Sequence, residues 1–423
     1  MKYQINPIHL TELLKKSTDI LQLNECYDKH KDVFNQRHFS IVCSVLCRFT
    51  KSPNQISIFI DSTYNWMNCK DCEISDFIII LQSAAKLKIR HPILNKLFQQ
   101  IKYLYKLFNP QNTVDVIWST AILNINDPEI LSYLIEAIKI NYQSFDGINI
   151  STIIWSCATL NLDDRKLILY IIDSIKSNYQ LFNAQCISTI IWACAVLNIY
   201  DSELLEQLIS IIKCNYYLFN FQGITQIKQA FLFYKIVDIK IDKIFDELNE
   251  NNTTISEFQK TVGATIEYLG YDIIYEKKLL NNVYSGDIDI KYNKRKLIIE
   301  CDGPYHFLSD NTFNGSTLLR NKLYDMYEIK YISISYFEYK SVSRYELYDY
   351  LKKKIDNYFE PIEYNRYLEN MSRKRYEDNS RDINISRDRS RSRDRNCSRD
   401  RSRSRSRESN RKRTNWDLNY KCI

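Results

Sequence analysis

The hydrophobic pattern in the first half of the chain has the period of amphipathic helices. Apolar side chains recur on one helical face at Ile154, Cys157, Ala158 and Leu160. Asn161 follows them, and Asn suits a helix end because it tolerates the left-handed conformation found there. A second apolar period runs from about Lys166 to Tyr179. The pattern predicts a pair of helices joined by a short turn.

This helix pair repeats every 37 residues. Two sets of aromatic residues have that spacing, namely Trp118, Trp155 and Trp192, and Phe108, Phe145, Phe182 and Phe219. The stretches VIWSTAILNI, IIWSCATLNL and IIWACAVLNI repeat with them, and weaker copies lie upstream at residues 40–49 and 82–89. A regular period indicates stacked supersecondary units. We therefore predict an α-solenoid with its repeat array over residues 76–250, preceded by a helical region with divergent repeats over residues 1–75.

Some repeated residues have an expected role. The tryptophans and the small residues Ala121, Ala158 and Ala195 are expected to pack one helix against the next. Three lysines stand near the ends of the second helices, at Lys139, Lys176 and Lys213. Two interpretations of these lysines stay open: they contact RNA phosphates, or they only stabilise a helix C-terminus through its dipole.

Beyond the repeats, short strand-like runs replace the helical period. Thr254 and Glu257 are spaced as a capping box, which predicts a helix ending near Gly270. Further elements are predicted, namely strands at Asp272–Tyr275, Val283–Ile290, Lys296–Cys301 and Tyr331–Ser335, and helices at Ser316–Glu328 and Arg344–Asn357. This order predicts a compact α/β domain over residues 253–360.

Four acidic residues of this domain are candidates for chemistry. Glu300 and Asp302 share one face of a predicted strand, and Asp287 and Asp289 share one face of the strand before it. If the two strands form a hairpin, the carboxylates crowd together and favour a hard cation such as Mg²⁺, with phosphodiester cleavage as the consequence. The alternative is structural: Asp302 orders the Asp-Gly-Pro turn and the other acids meet basic partners.

The positive charge lies in one segment near the C-terminus. Residues 381–413 hold 13 Arg and one Lys against four Asp and one Glu, a net charge of +9 in a chain whose total is +7. Arg alternates there with Ser and Asp, so no apolar core can form, and we predict a disordered Arg/Ser tail over residues 366–423. Such a tail binds RNA through salt-sensitive phosphate contacts, or serves only as a solubilising segment.

The twelve cysteines show no spaced disulfide framework, which is typical of reduced thiols in an intracellular compartment. Cys69 and Cys72 form a lone CxxC, while Cys43 and Cys47 are spaced as neighbours on a helix, so a zinc site is not predicted. No apolar run reaches the roughly 18–20 residues of a membrane-spanning helix, and no membrane partner is expected.

Residues 284–350 resemble the RAP domain, which is associated with RNA binding. The resemblance rests on GDIDIKYNKRKLIIECDGPYHF, on the helix motif GSTLLRNKL and on the strand that runs into SYFEY. RAP domains have a restriction-endonuclease-like fold and accompany helical repeats, often in mitochondria or chloroplasts. The repeats upstream resemble octotricopeptide and heptatricopeptide units. The resemblance implies that the solenoid binds single-stranded RNA, roughly one base per unit.

The nuclease pattern of such folds is an acid followed by Glu-x-Lys. Asp289 and Glu300 match the first two positions and would hold Mg²⁺ if it binds, but Asp302 stands at the position of the lysine. Lys296 and His306 are the candidate substitutes. Because the usual charge stabiliser is replaced, RNA binding is favoured over cleavage. Arg320 and Lys322 on the following helix would then meet phosphate, although a solvated helix face explains them equally well.

Three functions follow from these features. The first is an RNA-binding protein of organellar, mitochondrial RNA processing, stability or ribosome maturation, although the N-terminus has no clear presequence. The second is a Mg²⁺-dependent endoribonuclease that uses Asp289, Glu300 and Asp302; apart from Mg²⁺, no cofactor is expected. The third is a nuclear ribonucleoprotein scaffold that binds protein partners through the solenoid and the Arg/Ser tail.

Overall fold

The structure is a computed structural model that describes residues 5–49, 53–67, 73–89, 91–248, 254–292, 294–343 and 345–359. The protein is mostly helical, with a small mixed sheet of four strands near the C-terminal end of these residues. The predicted tail, the boundary at residues 250–253, Cys69 and Cys72 lie outside the described residues. Of the helices that the structure describes, none is long and apolar enough to span a bilayer.

Helices alone make up the chain before the sheet. Their bounds are α1 (Pro7–Lys16), α2 (Ile20–His30), α3 (Gln36–Leu46), α4 (Pro53–Met67), α5 (Ile74–Leu87), α6 (Ile93–Phe98), α7 (Ile101–Leu104), α8 (Pro110–Ile122), α9 (Pro128–Asn141), α10 (Gly147–Thr159), α11 (Arg165–Asn178), α12 (Ala184–Val196), α13 (Ser202–Cys214), α14 (Phe221–Tyr234) and α15 (Ile239–Leu248). We call α5, α8, α10, α12 and α14 the first helices, and α9, α11, α13 and α15 the second helices.

The 37-residue period reappears in the helix ends. The first helices α8, α10, α12 and α14 begin after N-caps at Asn109, Asp146, Asn183 and Asn220. Each of these side chains accepts a hydrogen bond from a backbone N–H in the first turn, which satisfies a donor that the helix itself cannot. The expected left-handed Asn161 has a φ of 51°, and its equivalents Asn124 and Asn198 have φ of 55° and 57°.

The core of the array lies between successive first helices, each of which packs against the next. Ala121, Ala158 and Ala195 are fully buried there, as expected, and let the backbones approach closely. The tryptophans differ from one another. Trp192 is buried, whereas Trp118 and Trp155 are only partly buried and line a groove on the face of the first helices. All three tryptophans pack against the core as expected, but Trp118 and Trp155 also keep part of their rings exposed.

The sheet follows the repeats in the predicted order. Its elements are α16 (Glu257–Tyr268), β1 (Asp272–Leu279), β2 (Tyr284–Tyr292), β3 (Arg295–Asp302), α17 (Gly315–Met326), β4 (Tyr331–Ser335), α18 (Tyr336–Ser341) and α19 (Glu346–Phe359). The strand order is β1-β2-β3-β4; the first two pairs are antiparallel and β3 runs parallel to β4. The short α18 was not expected, and the capping box that starts α16 is Ser256 with Gln259, two residues after the predicted one.

The sheet region packs against the repeats, and the described residues up to Lys354 form one compact unit. Beyond them the structure describes only residues 355–359, the end of α19. The backbone N–H of Ser309 donates to the carbonyl of Asn124 at 2.7 Å, and the Tyr327 hydroxyl donates to the carbonyl of Leu232 at 3.0 Å. Gly315 at the start of α17 lies against the C-terminal end of α10.

Candidate functional site

The acidic side chains of β3 lie in the interior of the protein. Glu300 and Asp302 point to the same face because they are two residues apart on a strand. Helix α17 covers this face, and the two side chains are 2% and 0% exposed. Ionised groups so far from water need partners, since desolvation of a charge is costly.

Arg320 of α17 is the partner of both carboxylates. Its Nη1 donates to Oε2 of Glu300 and its Nη2 donates to Oδ1 of Asp302, each at 2.9 Å. The arginine is itself buried, with 9% of its side chain exposed. The structure therefore places Arg320, a candidate for phosphate contact, between two carboxylates and away from solvent.

Other side chains occupy the remaining carboxylate oxygens. The Tyr324 hydroxyl donates to Oε1 of Glu300 at 2.9 Å, and the Ser333 hydroxyl donates to Oδ2 of Asp302. Nδ1 of His306 lies 2.8 Å from Oδ1 of Asp302. Each of the four oxygens of Glu300 and Asp302 thus has a partner from the protein itself.

One guanidinium cannot neutralise two carboxylates, and the pKa values of the two acids diverge. Burial raises the pKa of Glu300 to about 8 despite the Arg320 charge. Burial also acts to raise the pKa of Asp302, but the contacts with His306, Arg320 and Ser333 outweigh it, so its pKa is lowered. Asp302 is therefore the ionised partner of Arg320, and Glu300 is the group that holds a proton near neutral pH.

The acids of β2 are not part of this pairing. Asp287 accepts hydrogen bonds from Nε2 of Gln259 and the backbone N–H of Cys301, both at 2.6 Å, and burial raises its pKa to about 6. Asp289 is 1% exposed, and neither of its carboxylate oxygens accepts a hydrogen bond from the residues that the structure describes. β2 and β3 form a hairpin, a pairing that the sequence left open, with Asp289 opposite Ile298.

These acids do not fit a Mg²⁺ site. Mg²⁺ needs carboxylate oxygens that are open to it, and it keeps several of its water ligands. The oxygens of Glu300, Asp302 and Asp287 already accept hydrogen bonds, and those of Asp289 are buried without a hydrogen bond from the described residues. Within the described residues, no group of three or more His, Cys, Asp or Glu is arranged to hold a metal ion.

The lysines proposed for phosphate contact have different surroundings. Lys139 pairs with Glu136 on its own helix at 3.2 Å, and Lys213 is exposed. Lys176 bridges Asp201 at 3.0 Å and Glu203 at 2.6 Å. Nζ of Lys322 lies 4.9 Å from the ring centroid of Phe233, and burial lowers its pKa.

Two further surfaces were not predicted from the sequence, namely a cluster of cations and a polar groove. The turn between β2 and β3 carries exposed Lys291, Lys294, Arg295 and Lys296. The run KYNKRK is the sequence signal for it, but we considered only Lys296. The second surface is the groove of about 420 Å³ on the first helices, which includes Trp118, Trp155, Gln185, Thr189 and Gln226.

The groove has the repeat period of the sequence. Thr152, Thr189 and Gln226 occupy the same position in three successive first helices, and Gln185 and Gln222 are likewise 37 residues apart. Hydroxyl and amide groups donate and accept hydrogen bonds without carrying charge. The groove therefore offers similar polar groups at regular intervals, next to two partly exposed indole rings.

In comparisons with known proteins, no protein-family model matches the chain, and no curated protein is similar to it at a significant level.

Proposed function

We propose that this protein binds single-stranded RNA and acts in organellar RNA processing or stability, with the mitochondrion as its compartment. In this proposal the helix pairs form an α-solenoid, and the residues around the sheet are a RAP-like domain of restriction-endonuclease type. The proposal rests on the motifs of residues 284–350 and on the repeats upstream of them.

The periodic groove on the first helices is the observation that carries the proposal. RNA is recognised in single strands by aromatic stacking and by hydrogen bonds to exposed base edges. Trp118 and Trp155 offer ring faces, and Gln185, Thr189 and Gln226 offer donors and acceptors. These side chains recur in successive helix pairs, so each pair can contact one of the successive nucleotides of an RNA strand.

Binding is favoured over cleavage because the acids of β3 are already satisfied. A nuclease centre needs carboxylates that are free to hold a metal ion, and a cation that stabilises the developing charge. Arg320 occupies Glu300 and Asp302 from within the protein. The cations on the turn between β2 and β3, among them Lys291 and Lys294, then serve as phosphate contacts at the surface.

The test is selection of RNA sequences from a random single-stranded pool by the full chain, followed by titration of the selected RNA. Replacing Gln185 and Thr189 by Ala should weaken binding of the selected RNA by at least 10-fold and change its sequence preference, since base contacts carry sequence information. Gln180→Ala is the matched control, because Gln180 is an exposed amide on a turn outside the groove. Its affinity should equal that of the wild type.

Two results would contradict the proposal. One is binding that shows no sequence preference and disappears when the arginines of residues 381–413 are replaced by Ser, which would favour the scaffold function. The other is RNA cleavage that requires Mg²⁺ and is lost in Glu300→Gln, which would establish the nuclease.

A further inference from the structure

A second, apolar pocket lies between the second helices α9 and α11. Its volume is about 380 Å³, and its walls include the buried side chains of Ile138, Ile153 and Leu167. Four longer side chains stand around it, namely Lys139, Tyr142, Lys166 and Tyr170. The tyrosine rings are 43% and 52% exposed, with their centroids 5.8 Å apart. The pocket thus combines an apolar interior with two lysine side chains, of which Lys139 pairs with Glu136 at 3.2 Å.

The next repeat shows why this pocket is open. Lys176 is the equivalent of Lys139, and it bridges from α11 to Asp201 and Glu203 at the start of α13. Glu203 is 37 residues after Lys166, so a second lysine replaces one of the two acidic partners here, while Asp164 stands at the position of Asp201 and caps α11. Two like charges cannot form the bridge that links α11 to α13.

The junction between α13 and α15 is filled by its own side chains. Tyr216 is the equivalent of Tyr142, but it is only 9% exposed and its hydroxyl donates to Asp238 at 2.7 Å. Nζ of Lys240, the equivalent of Lys166, lies 4.5 Å from the centroid of the Tyr216 ring. Lys166 makes no ion pair with any residue that the structure describes. Because Lys213 and Lys240 occupy the positions of Lys139 and Lys166, the α9–α11 junction differs from the α13–α15 junction in its exposed Tyr142 ring and not in its lysines.

We propose that the α9–α11 pocket binds a small amphiphilic anion. The ligand is a carboxylate or a phosphate monoester that carries one alkyl or aryl group. Its apolar group lies against Ile138, Ile153 and Leu167, and its anionic head lies between Lys139 and Lys166. Small-molecule sites of this kind are mostly apolar, with a few polar groups that fix the orientation of the ligand. This site is separate from the RNA groove on the first helices and does not depend on the proposed function.

Fluorescence titration of the full chain with 8-anilinonaphthalene-1-sulfonate, an aryl anion, tests the site. We expect saturable binding with a stoichiometry of one and competition by decanoate or decyl phosphate. The uncharged decyl glucoside should not compete, because it has the apolar group without the anionic head. Competition by decyl phosphate alone or by decanoate alone would identify the preferred head group.

Substitutions that copy the neighbouring repeat give the decisive comparison. Lys166→Glu recreates the residue found at Glu203 and allows a bridge to Lys139, so dye affinity should fall at least 10-fold. Tyr170→Gln copies Gln207 and should also weaken binding. Lys213→Glu is the control, since it makes the same charge change on an exposed side chain outside the pocket.

The proposal is overturned if Lys166→Glu and Tyr170→Gln both bind the dye as the wild type does. It is also overturned if Lys213→Glu loses as much affinity as Lys166→Glu, because net charge would then explain the effect. Equal competition by decyl glucoside and decanoate would show that the head group has no role, and it would refute the anion specificity.

Discussion

At the scale of single residues, the buried charges around Arg320 determine how the α/β region behaves. The guanidinium joins two strand carboxylates, and Tyr324, Ser333 and His306 complete the set. A buried ion pair adds little net stability when it is complete, but removal of one partner leaves an uncompensated charge in the interior. The cluster is therefore more sensitive to loss of one member than its hydrogen bonds alone suggest.

Arg320→Met should lower the free energy of unfolding by about 3–5 kcal/mol, because it leaves the ionised Asp302 buried without a cation and removes a hydrogen-bond donor from Glu300. Urea unfolding measures the change. Arg165→Met is the matched control, since Arg165 is exposed at the start of α11, and it should change stability by no more than about 0.5 kcal/mol. Equal losses of unfolding free energy in the two variants would show that the ion pairs of Arg320 contribute no more to stability than an exposed arginine does.

The pKa of Glu300 leads to a pH dependence of stability. Its value in the folded protein is raised from 4.5 to about 8 by burial, so the folded state binds the proton more tightly than the unfolded state. Stability contributed by this proton is present below pH 4.5 and is lost as pH rises through 8. Urea unfolding between pH 5 and pH 9 should show stability falling by a few kcal/mol, and Glu300→Gln should flatten that slope. An unchanged slope in the variant would assign the effect to another group.

At the scale of elements, the repeats are built from local signals that recur in each helix pair. Asp127, Asp164 and Asp201 cap three second helices in the same way, each by accepting hydrogen bonds from the first turn. The left-handed Asn161 ends a first helix in the same manner as its equivalents. Contacts between the sheet region and the array are less regular, and they are made by α17, the segment before it and the turn between β1 and β2.

Gly315→Ala should disturb the packing of α17 on the array. A Cβ at Gly315 would overlap the carbonyl oxygen of Ala158 and lie 2.8 Å from Cγ1 of Val196. Because backbone cannot yield as a flexible side chain can, we expect a loss of about 1–3 kcal/mol in urea unfolding. Gly303→Ala is the control: its φ of −65° suits any residue, and the nearest atom to its Cβ is 3.9 Å away. A Gly315 variant as stable as this control would contradict the contact.

At the scale of the whole molecule, two described surfaces differ in their charge. Exposed cations cluster on the turn between β2 and β3, while the groove on the first helices has mostly uncharged polar groups. Under the proposed function, these two surfaces would have different roles. The cations would contribute affinity that depends on salt, and the groove would contribute sequence preference.

Replacing Lys291 and Lys294 by Gln should weaken RNA binding equally for all sequences. Each lost contact with single-stranded RNA should reduce the slope of log K against log salt by about 0.7. Filter binding at several salt concentrations measures the slope. Lys15→Gln with Lys16→Gln is the control, because it removes the same charge from exposed positions of α1 and should leave the slope unchanged. A changed sequence preference in the Lys291 variant would contradict the division of roles.

Much of the fold could be predicted from the sequence because its signals are local. Helix caps, left-handed Asn residues and apolar faces depend on neighbours within about one turn, and the 37-residue period repeats them. Tyr331–Ser335 was predicted at its exact bounds for the same reason, since its alternating apolar and polar residues, YISIS, identify a strand. The sequence alone thus determined the helix pairs, the order of the strands along the chain and the spacing of the acids on β3.

Only the tertiary structure decided what those side chains contact. Arg320 meets Glu300 and Asp302 because α17 covers β3, a contact between residues 18 and 20 positions apart. Trp192 is buried while Trp155, at the same repeat position, lines a groove. Similar local sequences around the two tryptophans have different surroundings, because burial and charge pairing depend on which elements pack together. A carboxylate whose position in the sequence matches that of a catalytic acid can therefore belong to a buried ion pair in the folded protein.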